Sequence, residues 1–166
     1  YALGEFFETF LKLHPDHAIG AIVQAMEAYV ARDHPRTSEM LDAELQIDGR
    51  AIRLREDWSH IWAHNPESSY GHDAEALLKK LLEYLRSADA TAVTHIARRL
   101  VETSSLAIFW SRLFLLATER NDVLIDLLLP IAMQEDFLTL PDTRKDAVDV
   151  VAKGYERLSQ AAREAF

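Results

Sequence analysis

The chain has 166 residues, 49% of them hydrophobic, and it carries 18 Lys and Arg against 27 Asp and Glu, a formal charge of −9. This size suits one domain with a packed core, and the acidic balance without a basic cluster argues against nucleic-acid binding. The lack of cysteine excludes disulfides, thiolate zinc sites and cysteine nucleophiles, and we expect a cytoplasmic protein.

Residues 1–35 show apolar side chains at helical spacing in two stretches. The His-Pro-Asp sequence at 14–16 interrupts the pattern and places a proline in the first turn of a second helix. The Asp-His-Pro sequence at 33–35 is expected to end that helix. A connection of about three residues is typical of an antiparallel helical hairpin, which we predict here.

The next stretch changes to alternating apolar and polar residues around the Asp-Gly dipeptide at 48–49, which favours a tight turn. The apolar positions are Leu45, Ile47, Ile52 and Leu54. We predict a short β-hairpin near 43–55. Because a two-stranded ribbon is marginal alone, we expect Trp58, Ile61 and Trp62 to face the core and cover it.

Residues 72–166 carry a dense succession of helical stripes with short connections, among them 87–89 and 103–105, which hold capping residues. The segment Val123 to Met133 is apolar nearly all round, and Pro130 is expected to kink or end its helix. It is about half a membrane span, so we predict a buried helix and no membrane association. Further helices are predicted after Asp142 and after Gly154. The last of these bears Tyr155, Leu158, Ala162 and Phe166.

The predicted fold is therefore all-α, with about eight helices in consecutive antiparallel pairs and one small β-hairpin. We divide it into a helical hairpin at 1–35, a ribbon insertion at 43–62 and helix pairs at 72–166. Because the sequence opens and closes within helical patterns, residues 1–166 are expected to be one unit of a larger protein.

Helix starts near 89, 122 and 154 lie about 32–33 residues apart, which is within the range of helical repeats. The succession resembles an α-solenoid of the HEAT or tetratricopeptide type. The tetratricopeptide pattern of Trp, Leu-Gly and Tyr at fixed offsets is absent, however. A non-repetitive helical bundle explains the same stripes.

A second resemblance rests on the helical hairpin, the ribbon ending in the sequence REDWSHIW at 55–62, and the leucine-rich helices that follow. This layout resembles the helical-repeat sensor regions of large bacterial STAND-type NTPases, some of which act in antiphage defence. The resemblance implies a sensor or regulatory role, with nucleotide chemistry in a separate domain. The sequence itself has no Gly-x-x-x-x-Gly-Lys-Ser/Thr phosphate loop.

Three histidines are the candidate metal ligands. His60 and His64 are four residues apart, which would put both imidazoles on one helical face, and His72 follows in a loop. Ile61 stands where the zinc-protease pattern has glutamate. The alternative is that these histidines lie at the rim of a core formed by the neighbouring aromatic residues.

Four further side chains are candidate partner contacts: Trp58, Trp62, Trp110 and Arg112. For Trp110 the alternative is packing inside the helical array, and for Arg112 it is ordinary surface charge, as for Arg120. The adjacent carboxylates Glu56 and Asp57 point in different directions and are expected to be solvated loop charges.

Three functions remain open from the sequence. A chain of amphipathic helices without a catalytic constellation favours a protein-interaction scaffold, which needs no cofactor and binds a protein, a peptide or other domains of its own polypeptide. A sensor region of a larger NTPase is the second. A helical metal-dependent hydrolase using His60, His64 and His72 is the third.

Overall fold

The computed structural model describes residues 2–68, 72–121, 123–160 and 163. Within them the chain forms nine α-helices and one antiparallel β-hairpin, so the predicted mostly-α fold with a small hairpin is confirmed. In chain order the elements are α1 (Ala2–Leu13), α2 (Pro15–Asp33), β1 (Asp42–Ile47), β2 (Arg50–Arg55), α3 (Ser59–Trp62), α4 (Asp73–Ser87), α5 (Ala90–Thr103), α6 (Ala107–Glu119), α7 (Ile125–Ala132), α8 (Glu135–Thr139) and α9 (Arg144–Gly154).

The amino-terminal half is built on α2. Helices α1 and α2 are separated by His14 alone, and Pro15 occupies the first turn of α2. Their apolar stripes pack together, and α2 also packs against α4 and α5, while α1 packs against α4. Phe7, Ile22 and Met26 are fully buried between these helices. The core of this half therefore joins helices that are not consecutive in the chain, such as α1 with α4 and α2 with α5.

The β-hairpin turns at Asp48 and Gly49, where the backbone φ angles are 51° and 76°. Two consecutive positive φ values are the geometry of a type I′ turn, whose twist matches that of paired strands. Strand β2 also bonds outside the hairpin, since the amide of Arg55 donates to the carbonyl of Ser105 at 2.7 Å. Ile52 and Leu54 face the core. The hairpin is thus attached directly to the segment that precedes α6.

The carboxyl-terminal half is centred on α6, which packs against α7 and α9, while α9 also contacts α7 and α8. Pro130 lies inside α7, and that helix ends two residues later at Ala132. Helix α8 is an additional short helix between α7 and α9. None of the described helices is long and apolar enough to cross a lipid bilayer.

The end of α9 differs from the prediction. A 3-10 turn at Tyr155–Arg157 follows Gly154 directly, where a new amphipathic helix was expected. A side chain at Gly154 would approach the buried Leu129 to 2.7 Å, so the close packing of α9 on α7 explains this glycine. Asp122, Ala162 and Phe166, on which helix predictions also fell, lie outside the described residues.

Candidate functional site

The start of α3 is held by one buried carboxylate, that of Asp142, which lies just before α9. Its side chain is fully buried. One oxygen accepts hydrogen bonds from the amides of Asp57 and Trp58 at 3.2 and 3.1 Å. The other accepts from the amide of His60 at 2.9 Å and contacts Nδ1 of the same residue at 2.6 Å. Since this carboxylate already accepts three N–H bonds, the His60 ring donates through Nδ1.

A second buried carboxylate, that of Asp57, joins α3 to α6. It accepts from the amide of Ser59 at 3.0 Å and from the amide of Ile108 at 2.9 Å, in the first turn of α6. Asp57 is fully buried, so the expectation that it is a solvated loop charge is wrong. The N-cap residue of α6 is Leu106, whose side chain cannot accept a hydrogen bond, so Asp57 satisfies an amide of that helix end from a distant part of the chain.

Burial, with the nearby charge of Asp142 adding to it, raises the pKa of the Asp57 carboxyl from 3.8 to about 7. We expect the Asp57 ¹³Cγ resonance to titrate with a midpoint near 7 in an NMR series from pH 4 to 9. Because the folded-state pKa is raised, the resulting stabilisation is complete at low pH and is lost as the pH rises through 7. A midpoint near 4 would show that the N–H bonds outweigh burial.

Trp58 has a left-handed backbone conformation, with φ 57° and ψ 25°. Such a conformation is uncommon for a bulky residue and costs about 1–2 kcal/mol. The indole is 42% exposed and Ile61, on the same turn, is 63% exposed. We call these two side chains the α3 apolar surface. The prediction that both face the core is wrong, because α3 is a single turn whose placement is set by Asp142.

Trp62 is the aromatic residue of α3 that packs inward. Its Nε1 donates to the carbonyl of Asp57 at 2.7 Å, and its ring stacks on His34 at 4.5 Å. Beside it the hydroxyl of Tyr29 donates to buried Glu75 at 2.7 Å, and burial raises the Tyr29 pKa while lowering that of His34. These side chains belong to α2 and the residue that follows it, to α3 and to α4, and no sequence pattern indicated that they meet.

The three predicted metal ligands are not brought together. Helix α3 ends at Trp62, so His64 does not continue the helical face of His60. His60 is bonded to Asp142, whereas the ring of His72 lies 5.1 Å from that of Tyr29. Among the described residues no group of three His, Cys, Asp or Glu side chains could hold a metal ion. The proposed three-histidine site is therefore wrong within this part of the chain.

Trp110 and Arg112, on α6, are both buried. Trp110 is fully enclosed beside Phe114 and Phe137 and donates from Nε1 to the carbonyl of Arg53 at 3.0 Å, so it does not reach a partner. Arg112 donates to the carbonyl of Ala63 and to Oγ of Ser111. The interpretation of Arg112 as ordinary surface charge is wrong.

Arg120 also differs from the expected surface charge. It is half-buried, and its Nη1 donates at 3.0 Å to the carbonyls of Leu85 and Ala88, which lie at the carboxyl end of α4. A cation at a helix carboxyl terminus satisfies carbonyls that lack a partner within the helix. Arg120 is thus a structural residue that joins α6 to α4.

A cleft of about 250 Å³ lies between α3, α6 and the start of α9. We call it the α3 cleft. Six titratable side chains line it, namely His60, His64, Arg112, Asp142, Lys145 and Asp146. Ser59 and His60, which line the cleft, belong to the same turn as Trp58 and Ile61 of the α3 apolar surface. Apolar and polar side chains therefore lie side by side at this turn.

These observations describe a mostly α-helical protein in which the short helix α3, with two exposed apolar side chains beside it, lies next to a polar cleft. No family model matches the chain, and neither does any curated protein or solved structure with which it was compared.

Proposed function

We propose that this chain is a partner-binding helical domain, a protein-interaction scaffold whose recognition site is the α3 apolar surface together with the α3 cleft. The observation that carries the proposal is the left-handed, 42% exposed Trp58. A strained backbone and an exposed tryptophan both cost stability, and such costs concentrate at binding sites. Tryptophan is also among the residues that contribute most to protein interfaces.

The fixed position of α3 supports this proposal. Asp142 and Asp57 together accept hydrogen bonds from five backbone amides, those of residues 57–60 and of Ile108. A binding turn that is already ordered loses little conformational entropy when a partner docks on it. The buried carboxylates therefore hold in place a turn whose exposed side chains, Trp58 and Ile61, contribute little to the core.

The partner in this proposal is a protein, a peptide or another domain of the same polypeptide. The formal charge of −9 disfavours a nucleic-acid partner, because the phosphate backbone carries charge of the same sign. A sensor role within a larger NTPase and a cytoplasmic location stay predictions from the sequence.

A pair of variants tests the proposal. We expect Trp58→Gly with Ile61→Ala to lower capture of the native partner by at least about tenfold, in an affinity experiment with the full chain as bait. Glycine adopts the left-handed conformation without strain, which offsets the lost packing of the indole. The free energy of unfolding should therefore stay within about 1 kcal/mol of the wild type in urea denaturation.

The matched control is Val148→Ala on α9, another large apolar side chain that is 49% exposed but does not line the α3 cleft. It should leave capture unchanged. Equal capture by the wild type and the α3 variant, or equal losses in the α3 and Val148 variants, would rule out the α3 apolar surface as the recognition site.

A further inference from the structure

Arg112 is a buried cation that makes no direct ion pair among the described residues, although Asp146 and Asp57 are near enough to attract its charge. It is 8% exposed, and its guanidinium donates to one carbonyl, that of Ala63, and to Oγ of Ser111 at 3.3 Å. A guanidinium carries five N–H donors, so most of its donor capacity is not used by these contacts. Burial lowers the Arg112 pKa, which reflects the unfavourable environment of this charge. Buried charges in proteins are normally paired.

The carboxylates that line the α3 cleft are already bonded elsewhere. Asp142 accepts three backbone amides and the His60 ring. Asp146 accepts from Oγ of Ser111 at 2.5 Å and lies 3.3 Å from Nζ of Lys145. Lys145 is largely exposed at the mouth and also contacts Asp149. The Arg112 guanidinium is therefore the buried charge in the cleft that makes no direct ion pair among the described residues.

We propose that the α3 cleft binds a carboxylate group of the partner against Arg112. A guanidinium matches the planar geometry of a carboxylate and can bind both of its oxygens at once. The two resident carboxylates would repel a phosphate dianion more strongly than a monoanion. This inference rests on the proposed function in that the carboxylate belongs to a bound peptide or protein.

The probe for this site is acetate, measured with the chain alone. In a titration followed by ¹H–¹⁵N NMR at the Nε–H of Arg112, we expect sodium acetate to cause a saturable shift below about 100 mM. The neutral isostere acetamide should bind at least ten times more weakly, and inorganic phosphate should bind more weakly than acetate. Equal shifts with acetamide and acetate, or no saturation with acetate, would overturn the proposal.

Two variants change the affinity in opposite directions. Arg112→Met keeps an apolar stem of similar length and is expected to weaken acetate binding at least tenfold, as read from the amides that line the cleft. Asp146→Asn removes one negative charge and can still accept from Ser111, so acetate should bind about three to ten times more tightly. A structural role of Arg112 alone would not predict this gain, and unchanged affinity in Asp146→Asn contradicts a charge-based site.

A competition experiment tests whether the carboxylate that binds in the α3 cleft belongs to the partner. Acetate at saturating concentration should reduce partner capture, whereas acetamide at the same concentration should not. If acetate fails to bind while capture still depends on Trp58, this inference fails and the proposed function stands. If acetate binds without affecting a Trp58-dependent capture, the cleft serves a free carboxylate, and the assignment to the partner is overturned.

Discussion

Replacing Asp142 by alanine is expected to lower the free energy of unfolding by about 3–5 kcal/mol. The change leaves the buried amides of Asp57 and Trp58 without an acceptor, and it removes the group to which the ring and amide of His60 bond. Each unsatisfied buried donor costs about 1–3 kcal/mol. Urea denaturation followed by circular dichroism measures the loss.

The control for this variant is Asp149→Ala, an exposed carboxylate on α9 whose ion pair within the described part of the chain is with Lys145. Its free energy of unfolding should stay within about 0.5 kcal/mol of the wild type. A loss below about 1 kcal/mol for Asp142→Ala would mean that water replaces the carboxylate and that α3 is not fixed by it.

The second large effect is expected at Trp110. Truncation to alanine should cost about 3–5 kcal/mol, because the indole is fully buried against Phe114 and Phe137 and a cavity would remain. Its hydrogen bond to the carbonyl of Arg53 also attaches the β-hairpin to α6. The thermal unfolding midpoint should fall accordingly, and chemical denaturation gives the free energy.

Trp110→Phe separates the two contributions. It keeps most of the aromatic packing but removes the N–H donor to the part-buried carbonyl of Arg53, so we expect a smaller loss of about 1 kcal/mol. If alanine and phenylalanine destabilise the fold equally, packing contributes little and the importance of this aromatic cluster is overestimated.

The local parts of the fold could be predicted because their causes lie within a few residues. The Asp48–Gly49 turn needs two positive φ angles, which these residue types tolerate, and the alternation on either side gives the strands. Helical stripes likewise mark α4, α5 and α6. Asp89 caps α5 through the amide of Ala92, as expected for a residue at that position.

The site could not be predicted in this way because its contacts join distant parts of the chain. Asp57 and Asp142 are 85 residues apart, and Arg112 lies 49 residues from the carbonyl that it contacts. A carboxylate that caps a remote helix resembles a solvated loop charge in the sequence. The prediction that Trp58 and Ile61 face the core also failed. It rested on helical spacing, and a single turn is too short for spacing to decide which face is buried.

The hydrogen bonds that position α3 join residues that are far apart in the chain, and this affects the order in which the parts of the protein fold. The amides of Asp57, Trp58 and His60 find their acceptor only after residue 142 has been synthesised. Non-local contacts of this kind form late because closing the chain between them is entropically costly. A nascent chain that has emerged only through α6 would therefore lack a properly set α3 turn. Under the proposed function, the α3 apolar surface becomes able to bind a partner only after the carboxyl-terminal helices have folded.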